Sequence, residues 1–181
     1  MAELVSRQGV HTELEGARTA FHRLVEGATA TELRTASDGT RWSNQELLFH
    51  MLFGYLIARV LLVLARVVSR LPRGASRGFG ALLNSTTGLF DKANFYGSRI
   101  GARLLGPRRM VATFDRVIAS LHRGFAAESE ADLRRGMYYP VRWDPFFQEF
   151  MTVADIYHYP TQHFDFHRRQ LTLTGAHEKE S

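Results

Sequence analysis

The chain has 181 residues, 45% of them hydrophobic and 23% charged, with a formal charge of +5 and a pI near 10.0. That length and balance fit one globular domain with an ordinary core and exclude a disordered chain. There is no cysteine, which excludes disulfides, thiolate zinc sites and a cysteine nucleophile.

The opening stretch MAELVSRQGVHTELEG has neither an apolar core nor a small-residue cleavage site. It does not read as a signal peptide, and a cytoplasmic protein is expected. Leu14, Ala17, Phe21, Leu24 and Ala28 then recur at three- and four-residue spacings and predict a helix over about 12–28. Residues 29–41 are polar, carry the turn pair Asp38-Gly39, and read as a loop.

Ser43-Asn44-Gln45-Glu46 reads as a capping box, in which serine accepts the backbone N–H three residues on and glutamate reaches back. The helix it opens is strongly apolar from Leu47 to Val68, long enough to span a bilayer. Arg59 near its middle argues against that. Arg59, Arg66 and Arg73 recur every seven residues and form one polar stripe. A buried bundle helix with one wet edge is expected, not a membrane span.

Leu71-Pro72-Arg73-Gly74 ends that helix. Residues 75–105 are glycine-rich yet carry Phe79, Leu82, Leu83, Leu89, Phe90, Tyr96 and Ile100, and predict a loop plus an irregular amphipathic helix. Gly106-Pro107 punctuates the chain, and proline suits the first turn of a new helix. Met110, Phe114, Val117, Ile118, Leu121 and Phe125 outline that helix to about 127. Residues 128–136 are polar, 137–143 extended, and Asp144-Pro145 begins a turn. Thr152 with Asp155 resembles a helix start, and the last helix is expected to run to about 173, kinked or shifted in register at Pro160. The core is placed at about 12–173 and a polar tail at 174–181 in a single domain.

The eight histidines carry the chemistry. In the last helix Val153, Ile156, Tyr157, Pro160, Phe164 and Leu171 outline a buried face, and His163 and His167 lie within it, four apart. In the second helix Leu47, Gly54, Ile57 and Leu61 outline the inward face, with His50 on it. Three inward imidazoles from two helices suit one divalent ion, zinc, nickel or iron(II), with a coordination position left open. A single buried histidine is more often a satisfied core residue, but three would each cost desolvation without a ligand. His158 points elsewhere on its helix, and His11, His22, His122 and His177 read as surface positions. Asp165 lies off the buried stripe and no carboxylate stands out as a fourth ligand. Arginines are scattered among acids, with lysine only at Lys92 and Lys179, so a nucleic-acid surface is not expected.

Trp42-Ser43, then His50 in LLFHMLFGYL, then the closing HFDFHRRQL with His163 and His167, together resemble the DinB-like superfamily from the first helix to Leu173. The resemblance implies an all-α four-helix bundle with a long connection between its second and third helices. It further implies a divalent metal on His50, His163 and His167, and frequent homodimers. Some members resemble S-transferases or isomerases that use mycothiol, bacillithiol or glutathione. The long segment 75–105 and Pro160 depart from the pattern near the site.

Three readings stand open on the sequence. The first is a metal-dependent enzyme acting on a small molecule with a low-molecular-weight thiol as cosubstrate. In it Arg168 or Arg169 would receive a carboxylate, although a solvated helix end is the plainer role. Tyr159 would donate a hydrogen bond near the metal, unless it merely packs. The second is a metal-binding stress-related or interaction module without turnover, which predicts a filled coordination sphere and no accessible cavity. The third is a basic bundle on a membrane or nucleic acid, without metal, which predicts a contiguous arginine face. Tyr138, Tyr139, Trp143, Phe146 and Phe147 either line a pocket or dimer face or cap one end of the bundle.

Overall fold

The computed structural model describes residues 7–174, except for the Arg73 side chain. The opening hexapeptide, His177 and the tail from residue 175 lie outside the described residues. The helices in chain order are α1 (Arg7–Gly27), α2 (Ala30–Arg34), α3 (Asn44–Val68), α4 (Arg73–Ser85), α5 (Thr87–Ala127), α6 (Glu130–Leu133) and α7 (Val153–Arg168). A two-stranded antiparallel ribbon, β1 (Gly136–Tyr138) and β2 (Phe150–Thr152), pairs Met137 with Met151 ahead of α7. The fold is all-α in its load of structure, as the periodicities predict.

Four helices make the bundle. α3 packs on α5 and on α7, and α1 closes the ring by packing on α5 and α7. Each contributes one aromatic ring to a shared layer: Phe21, Tyr55, Phe114 and Phe164, all buried. Phe21 and Phe114 stack at 4.3 Å, and Tyr55 meets Phe114 edge-on at 4.9 Å. Burying each such ring stabilises the fold by about 1.5–3 kcal/mol. Tyr55 is the polar exception, and its hydroxyl lies 3.2 Å from Thr161 Oγ1.

Helix starts are set by side chains. Complete capping boxes stand at Thr29/Glu32, Ser43/Glu46, Ser129/Asp132 and Thr152/Asp155. The Ser43 and Thr152 starts agree with the sequence reading. The other two create short helices: α2 inside a stretch expected to be a loop, and α6 inside one read only as polar.

The largest departure is segment 75–105, which is almost wholly helical in α4 and the first half of α5. Its glycines suggested a loop, but no proline interrupts it between Pro72 and Pro107. The expected break does occur at Gly106, whose φ of 63° no ordinary side chain adopts cheaply. The long connection between α3 and the bundle half of α5 is therefore a helical excursion. α7 runs through Pro160 as one continuous helix and stops at Arg168, earlier than expected. The chain turns there because Thr172 N–H donates to Asn44 Oδ1 at 3.0 Å and its hydroxyl to Ala36 O at 2.9 Å. Buried Asn44 thus ties the start of α3 to the chain beyond α7.

α3 is the one described helix long and apolar enough to cross a membrane, and 61% of that window is buried inside the bundle. Arg59 is exposed and Arg66 half-buried, so the wet edge exists, with Arg73 falling outside the description of side chains. The same edge also exposes Val60, Val63 and Val67.

Candidate metal centre

Two helices bring the three predicted histidines together. The Ser43 box fixes where α3 begins, and His50 follows two turns later on its buried face. The Thr152 box does the same for α7, on which His163 and His167 stand one turn apart. His50 Nε2 lies 3.1 Å from His167 Nε2 and 3.1 Å from His163 Nε2. All three ligand atoms fall within 4.8 Å of one another, so the trio can hold a metal ion.

The His167 ring presents a lone pair to that centre. His167 Nδ1 donates to Gln170 Oε1 at 2.6 Å, which leaves its Nε2 as an acceptor. His50 Nδ1 has Ser98 Oγ at 3.4 Å and the Asn94 amide beside it. His163 Nδ1 is buried without a hydrogen-bond partner among the described residues. Burial, reinforced by His167, pushes the His50 pKa down to about 3. Burial also drives His163 well below the usual range, with His50 and His167 adding to it. His167 moves the same way through burial, opposed by Gln170. The imidazoles are therefore neutral, the form that binds metals.

One N–H on His50 Nε2 could bridge these contacts, whereas three lone pairs can meet there only around an electrophile. Two ligand nitrogens on one zinc-sized ion stand about 3.0–3.4 Å apart, given bonds of roughly 2.0–2.1 Å. The two 3.1 Å contacts made by His50 match that spacing, and all three atoms lie within 4.8 Å of one another. The residues present fit a divalent ion.

Backbone shape makes room for the second ligand. Gly54, one turn beyond His50, lets the His163 ring lie on the α3 backbone, and a Cβ there would meet His163 Nδ1 at 2.7 Å. Trp42 stacks on His50 at 4.4 Å and roofs the site. Beside His167 a cleft of about 510 Å³ opens to solvent, walled by Trp42, Asn94, Phe95 and Gln170, with Arg41 over the Phe95 ring at 4.9 Å. Arg41, not Arg168 or Arg169, supplies a cation to that cleft.

The other described histidines are elsewhere. His158 Nδ1 lies 2.6 Å from Glu13, His22 Nε2 2.8 Å from Asp115, and His122 Nε2 2.8 Å from Glu15. His11 packs on His122. Among the aromatic residues of the β1–β2 region, Trp143 stacks on Phe90 at 4.2 Å, both lining an apolar pocket against α3, and Tyr139 meets Phe147 at 5.6 Å.

One residue escaped the sequence reading, which found no carboxylate near the trio. Asp144 Oδ2 stands 3.7 Å from His163 Nε2. Its Oδ2 accepts the Tyr159 hydroxyl at 3.0 Å, so Tyr159 reaches the site through it. Its Oδ1 accepts Phe146 N–H at 2.9 Å. Burial raises its pKa, against the hydrogen bonds from Phe146 and Tyr159. Asp144-Pro145 was legible only as a turn, because the contact depends on how the β1–β2 connection folds over α7.

No curated protein and no solved structure matches the chain. The family model of the DinB superfamily matches residues 13–171. With a bundle of the expected kind and the histidine trio assembled, the chain belongs to the DinB superfamily.

Proposed function

We propose that the protein binds one divalent ion, zinc, nickel or iron(II), on His50, His163 and His167, and is a thiol-dependent transferase or isomerase. The observation that carries this reading is the convergence of three Nε2 atoms, with that of His50 3.1 Å from each of the other two. A bound ion would supply Lewis acidity, lowering the pKa of a water or thiol at its open position. The chain's own residues do the rest. Gln170 and Ser98 orient the ligand rings, Gly54 admits His163, and Trp42 shields His50 from water. With no cysteine in the chain, the sulfur must arrive on a cosubstrate of the mycothiol or bacillithiol type.

The cleft beside His167 favours turnover over a metal-storing or interaction module, because such a module needs no access. Arg41 at its wall suits a substrate or thiol bearing a carboxylate. A homodimer belongs to the same reading. Val60, Val63 and Val67 stand exposed at three- and four-residue spacing on α3, an edge that a second copy can match by two-fold symmetry. Sedimentation of wild type against Val63→Glu tests it, with a monomeric wild type counting against it.

Metal content by mass spectrometry, on wild type and the His163→Ala/His167→Ala double variant, tests the centre. About one equivalent in the wild type, lost in the double variant, is expected. No metal in either after reconstitution would leave three core histidines. Given a loaded centre, a screen of low-molecular-weight thiols with electrophilic acceptors tests the activity.

A further inference from the structure

Asp144 lies outside the trio yet is built toward it. Its side chain is only 10% exposed, and both oxygens are assigned. Oδ1 is held by the Phe146 N–H, which fixes the turn, and Oδ2 by the Tyr159 hydroxyl. Tyr159 is itself buried, with Phe147 packed on its ring at 4.6 Å. A carboxylate oxygen accepts more than one hydrogen bond, so Oδ2 keeps capacity after Tyr159 is satisfied. It stands 3.7 Å from His163 Nε2, the atom His163 turns toward the other two rings. It is not one of the tight group of ligand atoms, which comprises the three histidines alone. A fourth ligand would sit about 3.4 Å from all three nitrogens. Asp144 approaches from one side, through His163.

Resting on the metal reading above, we propose that Asp144 borders the histidine cluster beside His163, away from the cleft at His167, and accepts a hydrogen bond from a protic group held on the cluster, whether water or substrate. Tyr159 fixes the accepting oxygen, and the turn at Pro145 fixes the carboxylate plane. The consequence is selectivity. A ligand presenting O–H, N–H or S–H is welcomed, and a bare anion meets a negative charge.

Cobalt(II) followed by visible absorption, with azide as the probe, tests this without any assay of turnover. Asp144→Asn and Asp144→Ser are the variants, since asparagine and serine both keep an oxygen for the Phe146 N–H. Thermal melts of both report whether the fold survives, and either folded variant decides. The expected result is about one equivalent of cobalt in wild type and variants, with azide bound roughly tenfold tighter once the carboxylate is gone. Azide affinity within about twofold of wild type would overturn the proposal. So would loss of cobalt from folded variants, which would make Asp144 a ligand. A wild type that takes up no cobalt would overturn the metal reading and this proposal together, which separates the two failures.

Discussion

Gly54→Ala is the most exacting test of how the centre is built. The added methyl would meet His163 Nδ1 at 2.7 Å and Cε1 at 3.0 Å. Ordinary contact begins near 3.4 Å, so the ring must retreat by about 0.7 Å. Metal–ligand bonds tolerate about 0.2 Å. Disturbing a group that merely supports a ligand costs roughly 10–100-fold in affinity, so displacing the ligand itself should cost at least that. Stability should change little. Alanine is the better helix former by about 0.8–1 kcal/mol, while overpacking costs about 1–3 kcal/mol. The net expectation is between no change and a loss of about 2 kcal/mol. Competition titration with a chromophoric chelator gives the affinity, and urea unfolding of the metal-free protein gives the stability. Gly16→Ala is the control, exposed in mid-α1 with nothing near its Cβ position. It should gain about 0.5–1 kcal/mol and bind metal as the wild type does. A folded Gly54→Ala protein with wild-type affinity would refute the reasoning, because His163 would then not be a ligand seated on that glycine.

Gln170→Ala removes the acceptor for His167 Nδ1 and should weaken metal binding roughly 10–100-fold with the fold intact; unchanged affinity would deny Gln170 an orienting role. Asn44→Ala leaves Thr172 N without its partner and takes one of two bonds from Glu32 O and Thr172 Oγ1, and should cost about 2–3 kcal/mol in urea unfolding. A loss under about 0.5 kcal/mol would mean that solvent replaces those bonds. His22 carries a raised pKa, caused first by its hydrogen bond to Asp115. Its stabilising contribution is therefore full below pH about 6.5 and fades as pH rises through the raised value. NMR titration should find His22 above the ordinary histidine value in wild type and lower in Asp115→Asn; an ordinary wild-type value would contradict the pairing.

Much of the centre was legible because helical periodicity is a local property. His50 shares a face with Leu47 and Gly54, and His163 and His167 share one with Phe164, so their burial side followed from spacing alone. The Ser43 and Thr152 capping boxes were legible for the same reason, since each is complete within four residues. Segment 75–105 was misread because glycine propensity is a weak prior that tertiary packing overrides. Buried Ser76, Ser98 and Ala102 show that packing. Asp144, Asn94 and Ser98 were not legible as neighbours of the trio, because they reach it from a turn and from the helical excursion. α7 was read too long because its end depends on Asn44, 128 residues away in sequence from Thr172.

The trio also joins distant parts of one polypeptide. His50 is separated from His163 by 113 residues and from His167 by 117. During synthesis the first ligand emerges long before the other two, and no partial chain lacking α7 contains a complete set. Ion capture would therefore be a late event, open only after α7 has docked on α3. Once made, the linkage would close a loop of more than a hundred residues and penalise every conformation in which α7 has peeled away. An ion-loaded molecule would thus be a certificate of finished folding, and removing the ion should loosen α7 first.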